Sequence, residues 1–343
     1  MTSLRPAANA HTPARTAAQT VGIIGAGVRG RTHLLSYQRL GVPTTVVSRM
    51  SAPELVKECG WGVAAADTDE LFASCDVVDI CAPTGSHADL ARAAINAGKH
   101  VIVEMPLTGT VEDADDLLRL ADARGVRLLP AHVCRYQHEY AHARGQALNG
   151  ALGAVESLTF FRRTGSPVQS GWWSDPERRS DVLGHLAIHD IDMALWVAGP
   201  VKSVSAIRSA HRRGDAALDV SHVLMQHLSG TVTRISAIWG PPQTPLRSAF
   251  SFVGDRGRLT HRSDKGAALE WSGNLRERQE LVPAFDAADP VDAQLSDFLQ
   301  AIESGRDARV AGFDGREAVR VANAARDASR LRSDVQIADA ALA

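Results

Sequence analysis

Lysine is scarce in this chain. Lys57, Lys99, Lys202 and Lys265 are the only ones in 343 residues, and arginine supplies the rest of the 37 basic side chains. The 39 acidic residues leave a formal net charge of −2. A chain without a basic excess is not built for nucleic acid or for an anionic membrane surface. No apolar run approaches the roughly 18 residues that a membrane-spanning helix needs. Cysteine is sparse as well. Cys59, Cys75, Cys81 and Cys134 include no Cys-x-x-Cys pair, which argues against a zinc ribbon or a redox dithiol. Scattered thiols in a chain of this size fit a reducing, cytoplasmic setting. Aromatic residues make up only 5%, yet hydrophobic residues reach 45% against 22% charged. That balance describes a globular chain long enough to bury a large core. Residues 1–19 depart from it: rich in Ala, Thr and Pro without an apolar centre, they read as a disordered tail and not as a secretory signal.

From Val21 onward short apolar runs alternate with helical patterns. Strands are expected at Val21–Ile24, Thr44–Val47, Val77–Ile80, His100–Val103 and Val126–Leu129. Helices between them end at Gly41, Gly98 and Gly125, with Ser86 and Thr110 as caps of the last two. This rhythm predicts a doubly wound parallel sheet over residues 20–133. Residues 134–343 read differently. Strand candidates at 155–161, 204–207, 220–228, 231–239, 250–253 and 258–261 follow one another with one helix, at 181–198, among them. They predict an α+β domain with a large, mostly antiparallel sheet. Two further helices, near 291–304 and 315–331, close the chain and are placed to pack back on the first domain.

Gly25-Ala-Gly27-Val-Arg-Gly30 stands between the first strand and the first helix, the context in which this spacing binds a dinucleotide. Gly25 permits the tight turn, Gly27 lets backbone approach a pyrophosphate, and Gly30 allows helix and strand to pack closely. The pyrophosphate then meets the positive end of the helix. The second strand ends in Ser48 and Arg49, with no carboxylate there to hold a ribose 2′-hydroxyl. A hydroxyl and a guanidinium suit a 2′-phosphate, so NADP is favoured over NAD.

Several phrases together resemble the Gfo/Idh/MocA oxidoreductases, the family of glucose–fructose oxidoreductase and inositol dehydrogenase. They are Gly25 to His33, Asp79 to Thr84 with His87, Ala97 to Val101 running into Glu104-Met105-Pro106, Arg135-Tyr136, Ala187 to Trp196, and Asp297 to Ile302 with Asp314 to Ala318. The resemblance implies a Rossmann domain followed by an α+β domain whose open sheet forms a homodimer or homotetramer. It extends the nucleotide contacts to Val28, Arg29, Pro83, Thr84, His87, Glu104, Met105 and Arg135. It also places substrate contacts in the stretch holding Arg163, Trp172 and Trp173. Two departures stand out. The family's Glu-Lys-Pro is Glu104-Met105-Pro106 here, and its aspartate four residues before a histidine is His185 before His189. Met105 occupies the catalytic lysine's place with no titratable proton.

Hydride transfer to or from a carbonyl carbon requires a partner proton at oxygen, and a group titrating near working pH serves best. Helical spacing puts His185, His189, Asp192 and Trp196 on one stripe. His189 is the expected proton donor or acceptor, His185 a second donor or orienting group, Tyr136 a further donor, and Asp192 a substrate contact. His185-x-x-x-His189 is also a metal-ligand spacing, but Leu186 stands where a zinc protease helix carries glutamate, so no metal is expected. The expected activity is NADP-dependent oxidoreduction of a small carbonyl, imine or sugar- and polyol-type substrate. An imine tolerates the missing lysine best, because it can arrive already protonated. The altered motifs leave two alternatives: a nucleotide-retaining isomerase or lyase working by transient oxidation, and a nucleotide-binding regulator that has lost catalysis.

Overall fold

The computed structural model describes residues 19–49, 51–167, 175, 180–213, 216–265, 269–273, 278–281 and 289–337. The expected tail, up to residue 18, and the pair Trp172-Trp173 lie outside the described residues.

Six parallel strands form the first sheet: β1 (Val21–Ile24), β2 (Thr44–Val47), β3 (Val63–Ala64), β4 (Val77–Ile80), β5 (His100–Val103) and β6 (Leu128–Pro130). Their order is β3-β2-β1-β4-β5-β6. Every residue of β1 and β4 is buried, as expected of a parallel sheet covered on both faces. The helices α1 (Val28–Leu40), α2 (Ala52–Cys59), α3 (Thr68–Ser74), α4 (His87–Asn96) and α5 (Val111–Arg124) connect them. Thr110 caps α5 by accepting from the Asp113 amide at 3.2 Å. The order reverses at β1, so the crevice beyond the carboxyl ends of β1 and β4 is where such a sheet binds ligands. β6 starts later than its sequence pattern suggests. The Val126 amide bonds to the Ala121 carbonyl at 3.0 Å and so belongs to the end of α5.

The second sheet has nine strands among the described residues: β7 (Val155–Gly165), β8 (Val201–Arg213), β9 (Ala216–His227), β10 (Val232–Gly240), β11 (Arg247–Gly254), β12 (Gly257–Arg262), β13 (Leu269–Gly273), β14 (Arg278–Leu281) and β15 (Val335–Gln336). Only β7 and β10 pair in parallel; all other neighbours are antiparallel. α6 (His138–Leu148) precedes this sheet, and α7 (Ile188–Ala198), α8 (Pro290–Ser304) and α9 (Gly312–Leu331) complete the chain. The helix expected over 181–198 opens with a π-helical turn at Leu183–Ala187 before α7 begins. Such turns widen a helix locally and recur at functional sites.

The last two helices tie the halves together. Val291, Leu295 and Phe298 of α8 share one core with Val21, Leu34 and Tyr37 of the first sheet and α1. Arg39 reinforces the joint through Asp292, its Nε donating at 2.7 Å. Among the described residues no helix is long and apolar enough to cross a membrane.

Candidate active site

The glycine turn is shaped by what it excludes. Gly25 has φ +117°, and a Cβ there would lie 2.5 Å from the Cys81 carbonyl oxygen. A Cβ on Gly30 would lie 2.0 Å from the carbonyl oxygen of Gly25. Gly27 is the opposite case, with nothing within 4 Å of its would-be Cβ. The turn therefore leaves an open backbone cradle at Gly27, sealed on the strand side. α1 begins there with no side-chain cap and no acid in its first turn, so its leading N–H groups are free for an anion. Val28 is 82% exposed at the rim. Ser48 and Arg49 follow β2 directly, and Arg49 is exposed with no ion pair among the described residues. Pro83 and Thr84 begin the turn after β4, half-buried beside the same crevice. These residues fit a dinucleotide: cradle, helix end and flanking strand ends converge on one side of the sheet.

Beneath the cradle lies a buried chain of polar groups. Arg29 Nε donates to Glu104 at 2.6 Å, so these two expected nucleotide contacts engage each other. His33 Nε2 stands 3.0 Å from the same Glu104 oxygen, off the hydrogen-bond axis. On its other side His33 Nδ1 meets Asp79 at 2.8 Å, and Tyr37 donates to Asp79 at 2.8 Å. Burial opposes charge on His33, but Asp79 outweighs it and holds the ring's pKa well above its ordinary value. Burial likewise opposes ionisation of Glu104; Arg29 and His33 reverse that and hold the carboxyl well below the usual range. Burial also pushes the Cys81 thiol up to about 12. His33, Asp79 and Cys81 bring potential metal ligands together, with Cys81 half-buried and the other two buried, but His33 and Asp79 already satisfy each other. Sequence alone assigns no role to His33, at the end of the glycine phrase. His87 is also buried, with Nδ1 2.8 Å from the Pro106 carbonyl and Nε2 2.9 Å from that of Ala82. It braces the Glu-Met-Pro loop against the turn after β4.

The second wall comes from the π-turn and α7. His185 packs against Trp239 with ring centroids 5.8 Å apart. Burial lowers its pKa to about 4, with Glu104 opposing and Arg29 reinforcing. His185 therefore lies within electrostatic reach of Glu104, and Met105, next to Glu104 in the chain, is 8% exposed. Burial depresses His189 well below its ordinary value, and Arg162, His132 and His185 add to the effect. The Nδ1 of His189 is sealed from solvent without a hydrogen-bond partner. Both histidines are thus neutral rings at pH 7.

Other expected site residues make bonds within the protein. Asp192 is buried and accepts from Arg135 Nε at 2.9 Å and Nη2 at 2.7 Å. Arg135 also reaches Asp314 and the Arg309 carbonyl. This pair fastens α7 to the loop after β6. Tyr136 donates to Asp297 on α8 at 2.6 Å and stacks edge-on with Phe298. Burial and Asp297 both raise its pKa, so its phenol serves the α8 joint. Arg163 is exposed on the outer side of β7, because neighbouring residues of a strand alternate faces. Its neighbour Arg162 turns inward, bonding Asp190 at 2.7 Å and the Tyr140 hydroxyl at 2.9 Å. Strand alternation is the signal that could have singled it out.

Two family models and several known relatives match the chain. Residues 19–132 match the family described as an oxidoreductase family with an NAD-binding Rossmann fold, and residues 140–260 match the GFO/IDH/MocA C-terminal domain. A 4-carboxy-2-hydroxymuconate-6-semialdehyde dehydrogenase from Sphingobium sp. is 27% identical, over 84% of this chain and 91% of its own. An inositol 2-dehydrogenase from Rhizobium meliloti is 26% identical, over 89% and 94%. A levoglucosan dehydrogenase solved with NADH and L-sorbose superposes with a TM-score of 0.84 at 21% identity, over 93% of this chain and 98% of its own. On its two domains, its glycine cradle and these matches, the chain belongs to the Gfo/Idh/MocA family of nicotinamide-dependent oxidoreductases.

Proposed function

We propose that the protein is an NADP-dependent dehydrogenase of a small sugar- or polyol-type hydroxyl compound, running also in reverse on the matching carbonyl, with an imine reduced to its amine as the alternative substrate. The observation that carries this is His189: a neutral ring with an unpartnered Nδ1, on a wall within electrostatic reach of Arg29 in the first turn of α1. A bound nicotinamide supplies the hydride acceptor or donor. The chain must handle the proton. Oxidation releases a hydroxyl proton, and a neutral imidazole offers a lone pair to take it. The depressed pKa of His189 keeps that lone pair available at neutral pH and favours oxidation there. Met105 and His185 are both uncharged, so the family's lysine and aspartate are replaced as a pair and the wall keeps no net charge from them.

Ser48 and Arg49 support the 2′-phosphate of NADP at the end of β2, where no carboxylate competes. Gly25, Gly27, Val28, Gly30, Pro83 and Thr84 line the rest of the nucleotide crevice in this reading, and Glu104 and Met105 form its floor beside the nicotinamide. The inositol and levoglucosan dehydrogenases named above point to the substrate class. Ile207 and Leu224, 77% and 50% exposed on the second sheet, favour a homodimer or homotetramer through its open face. The test is a panel of polyols, sugars and amino-sugars with NADP+, read as reduced cofactor formation. Wild type is expected to turn over at least one of them, and His189→Asn to lose about a hundredfold or more, the usual worth of general base catalysis. A fully active His189→Asn refutes the assignment.

A further inference from the structure

The π-turn at Leu183–Ala187 lies between two ion-paired aspartates. A turn bonded i→i+5 is rare inside a helix, so the residues that hold this one bear on what it does. At its N-terminal end Asp181 accepts from Arg326 of α9, from Nε at 2.9 Å and Nη2 at 2.8 Å. Arg208 of β8 adds an ion pair to Asp181 at 2.9 Å and donates to Asp219 of β9 at 2.9 and 2.7 Å. Asp181 also accepts from the Gly184 amide at 3.0 Å, and Asp219 from the Val182 amide at 3.4 Å. Gly184 makes room for this anchor, since a Cβ there would lie 2.4 Å from Arg326 Nη2 and 2.1 Å from Ser180 Oγ. At the other end Asp190, buried in the first turn of α7, accepts from Arg162 of β7, from Nη2 at 2.7 Å and Nε at 3.2 Å. Arg162 in turn donates to the Tyr140 hydroxyl at 2.9 Å. Between the anchors stand His185, packed on Trp239 with ring centroids 5.8 Å apart, and His189, the residue before Asp190.

We propose that Asp181 is a positioning residue: with Asp190 fixed on Arg162, it holds the π-turn in register and so sets the orientation of His185 relative to His189. The inference rests on the reading of His189 as the proton-accepting group. The constraint is mechanical. A π-turn carries one residue more than the α-helical turn it replaces. Were it to relax to i→i+4 bonding with Asp190 in place, every residue before it would move by one helical position. That is a rotation of about 100° and a shift of about 1.5 Å. His185 would leave Trp239, and Asp181 would leave Arg208 and Arg326. A bidentate arginine–carboxylate pair fixes direction as well as distance, and one stands at each end, so neither end turns alone. No proton or electron passes through Asp181; it acts only by placing the rings.

The first readout needs no substrate. In full-length protein with isotope-labelled histidine, the ring protons of His185 carry the ring-current shift of Trp239, and His185→Asn identifies them. Asp181→Ala is expected to lose most of that shift. Asp181→Asn, whose amide oxygen can still accept from Gly184 and Arg326, should keep more of it. Gly184→Ala, whose methyl displaces Arg326, should lose it as Asp181→Ala does. An unchanged His185 shift in folded Asp181→Ala overturns the proposal. Should neither alanine variant fold, a wild-type crystal structure decides: i→i+5 bonds at 183–187 with Asp181 seated on Arg326 support it, and an unbroken α-helix through 181–198 overturns it. The second readout separates placement from folding. On a substrate from the panel, kcat of Asp181→Ala should fall about a hundredfold, the worth of a misplacement near 1 Å, while NADPH affinity stays that of wild type. An equal loss of both marks a general structural role and overturns it. The underlying reading fails separately. A fully active His189→Asn removes the proton-acceptor role and leaves the His185 shift to decide the register, whereas an inactive His189→Asn with a wild-type His185 shift in Asp181→Ala removes only the role of Asp181.

Discussion

Gly27 and Gly30 stand three residues apart in one motif, yet the structure predicts opposite consequences for adding a single methyl group. Gly27 has φ −82° and ψ −166°, open to any L-residue, and its Cβ would meet nothing within 4 Å. Gly27→Ala should leave the fold within about 1 kcal/mol, mostly a small capping change. For a chain of this size that is a melting shift of about 2–4 °C or less. The new methyl occupies the space through which a pyrophosphate must approach the backbone. Overfilling a contact of that kind costs about 1–3 kcal/mol, so NADPH affinity should fall roughly ten- to a hundredfold. At Gly30 the methyl would lie 2.0 Å from a backbone oxygen of Gly25. No side chain can swing aside there, so α1 must move off β1 at a cost of about 3 kcal/mol or more. Thermal melts and fluorescence titration with NADPH on both variants check the pair. A Gly27→Ala protein that binds like wild type, or one that melts as low as Gly30→Ala, refutes the reasoning.

Four further outcomes are expected. Histidine pKa values lowered by folding keep the basic form of His189 as pH falls through the ordinary value of 6.5, so kcat/KM for oxidation should hold level from pH 8 to 6; a titration near 6.5 contradicts this. The same sign works against stability, because the unfolded chain takes up the His185 proton first, and the stabilisation present above 6.5 should decline from there toward about pH 4 in melts. Met105→Lys and His185→Asp should each destabilise alone, by burying one unpaired charge near Glu104, whereas the double variant should recover by about 1 kcal/mol or more in a melting double-mutant cycle; strict additivity argues that the two sites do not face each other. Arg135→Ala leaves Asp192 buried and uncompensated and should cost about 3–5 kcal/mol, measured by denaturant unfolding, and a loss under 1 kcal/mol contradicts the joint described for it.

Much of the first domain is readable in the sequence because its signals are local. β1, β2, β4 and β5 end where their apolar runs end, and the glycine spacing by itself announces the turn. The second domain is readable in type but not in extent. β8 and β9 run well past their apolar cores, since a half-solvated strand continues through polar residues as long as its ladder does. The site is harder still. Arg135, Asp192 and Tyr136 sit in recognisable phrases, yet each makes its bonds across the fold, to partners up to 179 positions away (Arg135 to Asp314), which sequence spacing cannot reveal. Sequence reasoning selects Arg163 over Arg162, although strand alternation separates them. His33 escapes it because burial, and not residue type, is what makes it informative.

Side-by-side fluorescence titration of nucleotide-free protein with NADPH and NADH tests the central claim most directly, using the six tryptophans and the reduced nicotinamide as signals. The account predicts saturable binding of both, with NADPH tighter by about tenfold, the worth of one charge-assisted contact from Arg49, and with that preference lost in Arg49→Ala. Preference for NADH would contradict the assignment of Ser48 and Arg49. Binding of neither would contradict the cradle at Gly27, and with it the dehydrogenase itself.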